Sequence, residues 1–247
     1  MNKLKPLPEE WSGLLNNEQK EAIENINGPL LIIAGAGSGK TRVLTYRYAH
    51  LIKTYGINFE NVLAITFTNK AANEMKDRIS DLLNLELSPK WISTFHSLCV
   101  KMLRIHGHLI GFNNNFTIYD QSDSTKLVRN CMRDSDIDTK QYSPKRIQAH
   151  ISSLKNQRIL PGEAVEFAQS FFDVKVAEIY SSYQKKLMLA NSMDFDDLLI
   201  KAVELLETSD KSLNYWSSKF QYIMIDEYQD TNMVQYRLVE LLASKHK

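Results

Sequence analysis

The chain has 247 residues, of which 43% are hydrophobic and 24% are charged, and its formal net charge is +1. These are ordinary values for one large or two modest globular domains, so they exclude a disordered chain. The near-zero net charge excludes a globally basic nucleic-acid binder, and any nucleic-acid site must be built from local loops.

The sequence also gives expectations about the cellular compartment. No segment is apolar over a membrane-spanning length, and the N-terminal residues show no secretory leader pattern. Cys99 and Cys131 lack metal-ligand or redox spacing and are expected to be buried free thiols. We therefore expect a cytoplasmic protein with no membrane partner.

The first predicted helix begins after Asn16, in the stretch from Leu15 to Ile23. Asn16 suits the N-cap position, and Gln19 can complete a capping box by accepting a hydrogen bond from the Asn16 N–H. The Gln19 amide can instead read adenine, because its carbonyl and NH₂ groups match the acceptor and donor of that base edge. The local sequence favours the cap and leaves the adenine alternative open.

A glycine-rich loop follows the apolar run 29–33, which predicts a buried strand, and it leads into a predicted helix. The glycines allow successive backbone N–H groups to turn around an anion at the helix N-terminus. Lys40 would reach the β- and γ-phosphates of a nucleotide, and the Thr41 hydroxyl would bind Mg²⁺. The alternative is a strand-to-helix turn that binds nothing. The predicted phosphate-binding loop consists of Ala34, Gly35, Ala36, Gly37, Ser38, Gly39, Lys40 and Thr41.

Two later strands, within 61–67 and 91–94, end in polar turns that each carry an aromatic residue. Ligands of open α/β sheets bind beyond the carboxyl ends of the strands. Hydroxyl, amide and lysine groups suit phosphate oxygens, and an aromatic ring can stack on a base, so the turns predict a nucleic-acid track. At the first turn, the alternative is helix capping with Phe67 in the core. The candidate residues are Thr66, Phe67, Asn69, Lys70, Thr94, Phe95 and His96.

Helical periodicity replaces long buried strands over residues 116–196, which predicts an inserted helical domain. Within it, the stretch 140–158 contains five basic residues and no acid. These positions scatter around the predicted helix, so a solvated helix surface is the alternative to a binding patch. The acids Asp194, Asp196 and Asp197 are explained more simply as helix caps than as a metal site.

The chain returns to a buried strand over 220–225, which ends in Asp226 and Glu227. An acid at this position is the partner that a phosphate-binding loop requires, because Mg²⁺ is held by the loop threonine and a strand-end aspartate. Glu227 is placed to orient and deprotonate a water that attacks the γ-phosphate. The pair therefore favours nucleotide hydrolysis over transfer to a metabolite.

These motifs, in this order, resemble those of the UvrD/Rep/PcrA-like superfamily 1A DNA helicases, which move 3′ to 5′ along single-stranded DNA. The resemblance implies that Gln19 reads adenine, that Arg42 packs on the adenine face, and that Gln229 joins Lys40 and Glu227 in the catalytic set. It implies ATP and Mg²⁺ as cofactors. The matching stretches are 15–19, 35–42, 66–72, 94–97 and 226–232.

The resemblance also implies the architecture and the partners. The fold would be α/β, a P-loop NTPase (RecA-like) parallel sheet formed by 1–115 and 197–247, with an all-helical subdomain at 116–196. The two aromatic turns would contact single-stranded DNA, and the subdomain would approach a duplex junction, in DNA repair or replication.

No second RecA-like domain is recognised before Lys247, so we expect an incomplete motor that hydrolyses ATP slowly at best. The alternatives are part of a helicase-nuclease subunit, or a DNA-binding module that needs no nucleotide.

Overall fold

The computed structural model describes residues 4–35, 37–86 and 89–246, and in these ranges it is a mixed helix and sheet protein. Eleven α-helices are assigned there, and none of them is long and apolar enough to cross a bilayer. The helices are α1 (Glu9–Ser12), α2 (Asn17–Glu24), α3 (Lys40–Lys53), α4 (Asn69–Leu83), α5 (Phe95–His106), α6 (Gln121–Asp134), α7 (Pro144–Asn156), α8 (Phe171–Leu189), α9 (Phe195–Thr208), α10 (Asp210–Lys219) and α11 (Met233–Leu242). The strands are β1 (Val62–Thr66), β2 (Ile92–Thr94), β3 (Thr117–Tyr119), β4 (Ser192–Asp194) and β5 (Tyr222–Ile225).

A parallel three-stranded sheet with the order β2-β1-β5 positions the candidate site. The central strand β1 is buried throughout, as expected for a parallel strand covered on both faces. Thr66 lies opposite Thr94, and the Asp226 N–H donates to the Ile65 carbonyl at 2.9 Å. The carboxyl ends of all three strands therefore meet at one edge, and Asp226 lies at that edge.

The strand predicted over 29–33 is not assigned in the structure, so this prediction is corrected. These residues have no regular secondary structure, and Leu31 and Ile33 are 68% and 88% exposed. An apolar run is compatible with a strand, but a neighbouring strand must supply hydrogen-bond partners. None of the described ladders includes this segment.

The chain divides into two compact units. The first runs to Leu98 and also includes Asn214–Thr231 and the residues from Leu242; the second comprises Cys99–Leu213 and Asn232–Leu241. The expected boundaries after residues 115 and 196 both fall inside the second unit, because most of α5 and all of α9 belong to it.

The first unit packs α3 and α4 onto the sheet. Tyr48 and Leu51 of α3 join Val62 of β1 and Ile79 of α4 in one buried cluster. The helix α4 presents its apolar residues at helical spacing, and the Thr68 side chain caps it by accepting from the Ala71 N–H. The order strand, turn and capped helix thus follows directly from the local sequence.

The second unit has its own core on α6, α7 and α8, with Val128, Ile147, Val176 and Tyr183 among its buried residues. It also contains a parallel pair of strands, β3 and β4. The expectation of an all-helical insert is therefore wrong. Strands of three residues are too short to show a period in the sequence.

Candidate active site

The glycine-rich loop bends sharply before it enters α3. Gly37 and Gly39 have φ values of 77° and 89°, in the left-handed region that favours glycine. A Cβ atom at Gly39 would also lie 3.0 Å from the Gln19 Nε2 atom. Among the described residues, no side chain caps the N-terminus of α3, so the first backbone N–H groups of this helix are available to an anion. Ala36 lies outside the described residues.

The side chains of Lys40 and Ser38 contact backbone carbonyls at the start of the loop. The Lys40 Nζ donates to the Ala34 carbonyl at 3.1 Å and lies 3.4 Å from the Gly35 carbonyl. The Ser38 hydroxyl donates to the Gly35 carbonyl at 2.7 Å. The ammonium group is thus held within the curve of the loop, where the β- and γ-phosphates are expected.

A hydrogen bond joins the loop helix to the strand-end acid. The Thr41 hydroxyl donates to the Asp226 Oδ2 at 3.2 Å, across 185 residues of sequence. Burial raises the pKa of the Asp226 carboxyl, the Thr41 hydrogen bond opposes the rise, and nearby Glu227 adds to it.

The Thr41 hydroxyl and the buried Asp226 carboxylate form an oxygen donor set that fits Mg²⁺. Mg²⁺ is usually held by few protein ligands together with substrate phosphates and waters. No group of three or more His, Cys, Asp or Glu residues able to hold a metal occurs in the described part of the chain. Thr41 and Asp226 therefore suit Mg²⁺ better than they suit a metal that needs a full protein cage.

The second acid has a constrained backbone. Glu227 has a φ of 50°, which is uncommon for a residue other than glycine. Its N–H donates to the Asp226 Oδ1 at 3.2 Å, and its Oε2 accepts from the Gln229 Nε2 at 2.6 Å. Gln229 therefore holds the Glu227 carboxylate in a defined orientation.

Gln19 links α2 to the loop. The capping box predicted from the sequence is confirmed, because Gln19 Oε1 accepts from the Asn16 N–H and Asn16 Oδ1 accepts from the Gln19 N–H. The Gln19 Nε2 donates to the Ser38 carbonyl at 3.1 Å. One amide thus caps a helix and contacts the phosphate loop, and its reading of adenine stays a prediction.

Arg42 is exposed on the first turn of α3, and its guanidinium lies 5.5 Å from the centroid of the Tyr46 ring. A cleft of about 340 Å³ opens beside it. Tyr46 is not among the residues predicted from the sequence, although its spacing of four residues from Arg42 on a helix was a usable signal. The cleft is lined by Arg42, Thr45, Tyr46, Arg78, Asp81 and Leu82.

The two aromatics of the predicted nucleic-acid track differ in burial. Phe67 is half-buried, and its ring packs edge-on against Phe95 at 5.6 Å between centroids. Phe95 is only 1% exposed, so its ring offers almost no surface to a base in this structure, and a base contact by Phe95 stays a prediction. It lies in the core because it begins α5 directly after a buried strand.

The polar residues of the track also differ in burial. The Thr66 and Thr94 side chains are buried, and the Thr94 hydroxyl accepts from the Ser97 N–H at 3.2 Å. Asn69 and Lys70 are exposed, and His96 is half-buried. The side chains of Phe67, Asn69, Lys70 and His96 are thus at least partly exposed, whereas those of Thr66 and Thr94 are buried.

The basic stretch 140–158 is only partly a positive surface. Lys155 is 1% exposed and contacts two carboxylates, while Arg158 Nη2 donates to Glu207 at 2.6 Å. The exposed basic residues that remain are Lys140, Lys145 and Arg146. The partners of Lys155 lie 39 and 42 residues away in sequence, so local spacing gave no signal of them.

The helix-cap interpretation is confirmed for two of the three acids at the start of α9, whereas Asp196 accepts a hydrogen bond from Asn156. Asp194 and Asp197 form a reciprocal capping box at the N-terminus of α9. Cys99 and Cys131 are free and buried, as expected.

Comparison with known proteins agrees with these motifs. Residues 15–247 match the family model of the UvrD/REP helicase N-terminal domain. The chain is 47% identical, over 94% of its length, to the ATP-dependent DNA helicase PcrA of Staphylococcus aureus (strain Mu50). The same identity and coverage are found with PcrA of Staphylococcus epidermidis (strain ATCC 12228). The chain spans about a third of the length of these relatives, 32% in each case. By its match to the family model and its identity to these relatives, the chain belongs to the UvrD/REP helicase family, in the N-terminal domain of that family.

Proposed function

We propose that the chain is the ATP- and single-stranded-DNA-binding N-terminal part of an ATP-dependent 3′–5′ DNA helicase, acting in DNA repair or replication. The observation that carries the proposal is the Thr41–Asp226 hydrogen bond, which brings the phosphate loop and the strand-end acid to one place. The relatives are named ATP-dependent DNA helicases, which supports the same activity for the full-length protein.

The proposed architecture is a P-loop NTPase (RecA-like) sheet domain with a helical subdomain inserted at 116–196. The parallel sheet, with Thr66, Thr94 and Asp226 at one edge, supports the sheet domain. The separate core on α6, α7 and α8 supports the insertion.

Nucleotide binding would use the loop and both acids. The N-terminal amides of α3 and the Lys40 ammonium bind the β- and γ-phosphates, and Thr41 and Asp226 hold Mg²⁺. When bound, Mg²⁺ neutralises charge that develops on the phosphate oxygens. Glu227 accepts a proton from the attacking water, while Gln229 keeps its carboxylate oriented.

The base of ATP would lie beside Arg42. The guanidinium is exposed at an open cleft and can pack on the flat face of adenine. Gln19 is already at the loop, with its Nε2 on the Ser38 carbonyl, and would exchange that contact for the adenine edge.

DNA contacts are proposed on both units. On the first unit, the half-buried Phe67 ring would stack on a base, and Asn69 and Lys70 would contact phosphates. On the second unit, the exposed Lys145 and Arg146 would meet the phosphates of a duplex junction.

Lys40→Ala tests the nucleotide site. A hydrogen bond to a charged group contributes about 1.5–3 kcal/mol, so we expect the variant to lose roughly 10- to 150-fold in affinity for Mg²⁺-ATP, measured by titration calorimetry. The matched control is Lys53→Ala at the other end of α3, where the lysine pairs with Glu10 and should leave ATP affinity unchanged. Equal affinities for the wild type and Lys40→Ala would overturn the assignment of the loop.

A further inference from the structure

The last turn of α7 connects two later helices of the second unit. Lys155 Nζ donates to Asp194 Oδ2 at 2.6 Å and to Asp197 Oδ1 at 2.8 Å, at the start of α9. Burial disfavours the charge on Lys155, but the two carboxylates outweigh burial and raise its pKa. Since all three side chains are almost fully buried, this ion-paired cluster fixes α7 against α9.

Asn156, the next residue, extends the connection to α11. Its Nδ2 donates to Asp196 Oδ1 at 3.2 Å and to the Ser152 carbonyl at 2.8 Å. Its Oδ1 accepts from the Asn232 Nδ2 at 3.2 Å. One amide thus bridges the first turn of α9 and the residue that precedes α11.

Asn232 is itself fixed in place. Its Oδ1 accepts from the Gln235 N–H at 2.9 Å, and its own N–H donates to Gln235 Oε1 at 3.0 Å. This reciprocal pair caps α11 and leaves the Nδ2 free to donate to Asn156. The rotamer of Asn232 is therefore determined by contacts on both sides of its amide.

Asn232 lies where the chain passes from one unit to the other, so its hydrogen bonds to α7 and α11 begin at that crossing. The chain passes from the first unit to the second between Thr231 and Asn232. Immediately before that point lie Asp226, Glu227 and the short turn Tyr228–Asp230. The two acids and the residue that caps α11 are therefore joined by one short stretch of chain.

We propose that Asn232 and Asn156 are positioning residues that report nucleotide occupancy at Asp226 and Glu227 to the helices of the second unit. The inference rests on the proposed function, because it requires Mg²⁺-ATP at those acids. Binding there would stiffen the turn that ends at Thr231, and the Asn232–Asn156–Asp196 hydrogen bonds would pass that constraint to α7 and α9. Coupling of this kind needs a contiguous network whose members have defined geometry.

Asn232→Asp separates coupling from stability. Aspartate keeps the oxygen that caps α11 and is itself a good N-cap, but it has no amide to donate to Asn156. Asn156→Ala removes the bridge from the other side. The matched control is Gln157→Ala, because Gln157 is the exposed neighbouring residue and its side-chain amide donates to Ser153.

The experiment is hydrogen–deuterium exchange on the whole chain, with and without Mg²⁺ and a non-hydrolysable ATP analogue. In the wild type and in Gln157→Ala, the analogue should slow exchange in the last turn of α7 and the first turn of α9 by about 2- to 30-fold. In Asn232→Asp and Asn156→Ala, this ligand-induced difference should disappear. Melting temperature measured alongside identifies loss of folding.

Two results would overturn the coupling. One is an unchanged ligand-induced difference in a folded Asn232→Asp, and the other is no difference in a wild type that binds the analogue. A wild type that fails to bind the analogue in calorimetry would overturn the proposed function itself, and the coupling with it.

Discussion

At the scale of single residues, burial separates two phenylalanines that the sequence pattern presents as equivalent. Both follow a strand that ends in a hydroxyl residue, yet Phe67 is half-buried and Phe95 is 1% exposed. The edge-on contact between the rings makes Phe95 a support for Phe67. Only Phe67 is therefore assigned to a base in the proposed track.

Substitution of each ring by alanine should affect a different property: DNA binding at Phe67 and the stability of the fold at Phe95. Phe67→Ala should weaken binding of a single-stranded oligonucleotide by about 1–3 kcal/mol, the contribution of one stacked base, while the fold is kept. Phe95→Ala should cost about 3–5 kcal/mol of unfolding free energy, because it removes a buried ring. Fluorescence anisotropy and urea denaturation measure the two quantities. Undiminished DNA binding by Phe67→Ala would place that ring in the core with Phe95.

At the scale of secondary-structure elements, the segment before the phosphate loop differs most from its prediction. Its composition is that of a buried strand, but Leu31 and Ile33 are exposed and unpaired with the described strands. Strand β5 pairs with β1 alone in the described sheet. Composition specifies that a segment suits a strand, whereas pairing depends on partners that are distant in sequence.

Two isoleucines, one in the segment before the loop and one in β1, provide a matched test of whether that segment is a buried strand or is exposed. Ile33→Ala should change the unfolding free energy by no more than about 0.5 kcal/mol, because the side chain is 88% exposed. Ile65→Ala, in the buried strand β1, should cost about 2–5 kcal/mol. Urea denaturation of both variants measures the difference. A cost at Ile33 comparable to that at Ile65 would show that the segment is the buried strand that the sequence predicts.

At the scale of the whole molecule, the parts that the sequence predicted are those encoded by contiguous residues. The loop with Lys40, the buried strand β1 and the strand that ends in Asp226 each follow from a local pattern. The Gln19 cap was also predicted from spacing alone. In each case the sequence pattern that carries the prediction lies within a few consecutive residues.

The features that were not predicted depend on residues far apart in sequence. Lys155 was expected on a helix surface, either as part of a binding patch or in contact with solvent, but it is buried and contacts Asp194 of β4 and Asp197 of α9. The pairing of β3 with β4 joins three-residue segments that carry no periodic signal. The Asn156–Asn232 bridge spans 76 residues and likewise has no local signature.

We propose that Thr41 and Asp226 hold a magnesium ion on bound ATP, and the Mg²⁺ dependence of ATP binding measures this directly. Calorimetric titrations with ATP would be run on the wild type and on Asp226→Asn, each in Mg²⁺ and in excess chelator. Interacting partners in such a cycle typically couple by about 0.5–3 kcal/mol. We expect wild-type affinity to fall by roughly fivefold or more when Mg²⁺ is removed, and Asp226→Asn to be insensitive to Mg²⁺. Equal sensitivity to Mg²⁺ in both proteins, or none in the wild type, would show that Asp226 does not hold the ion.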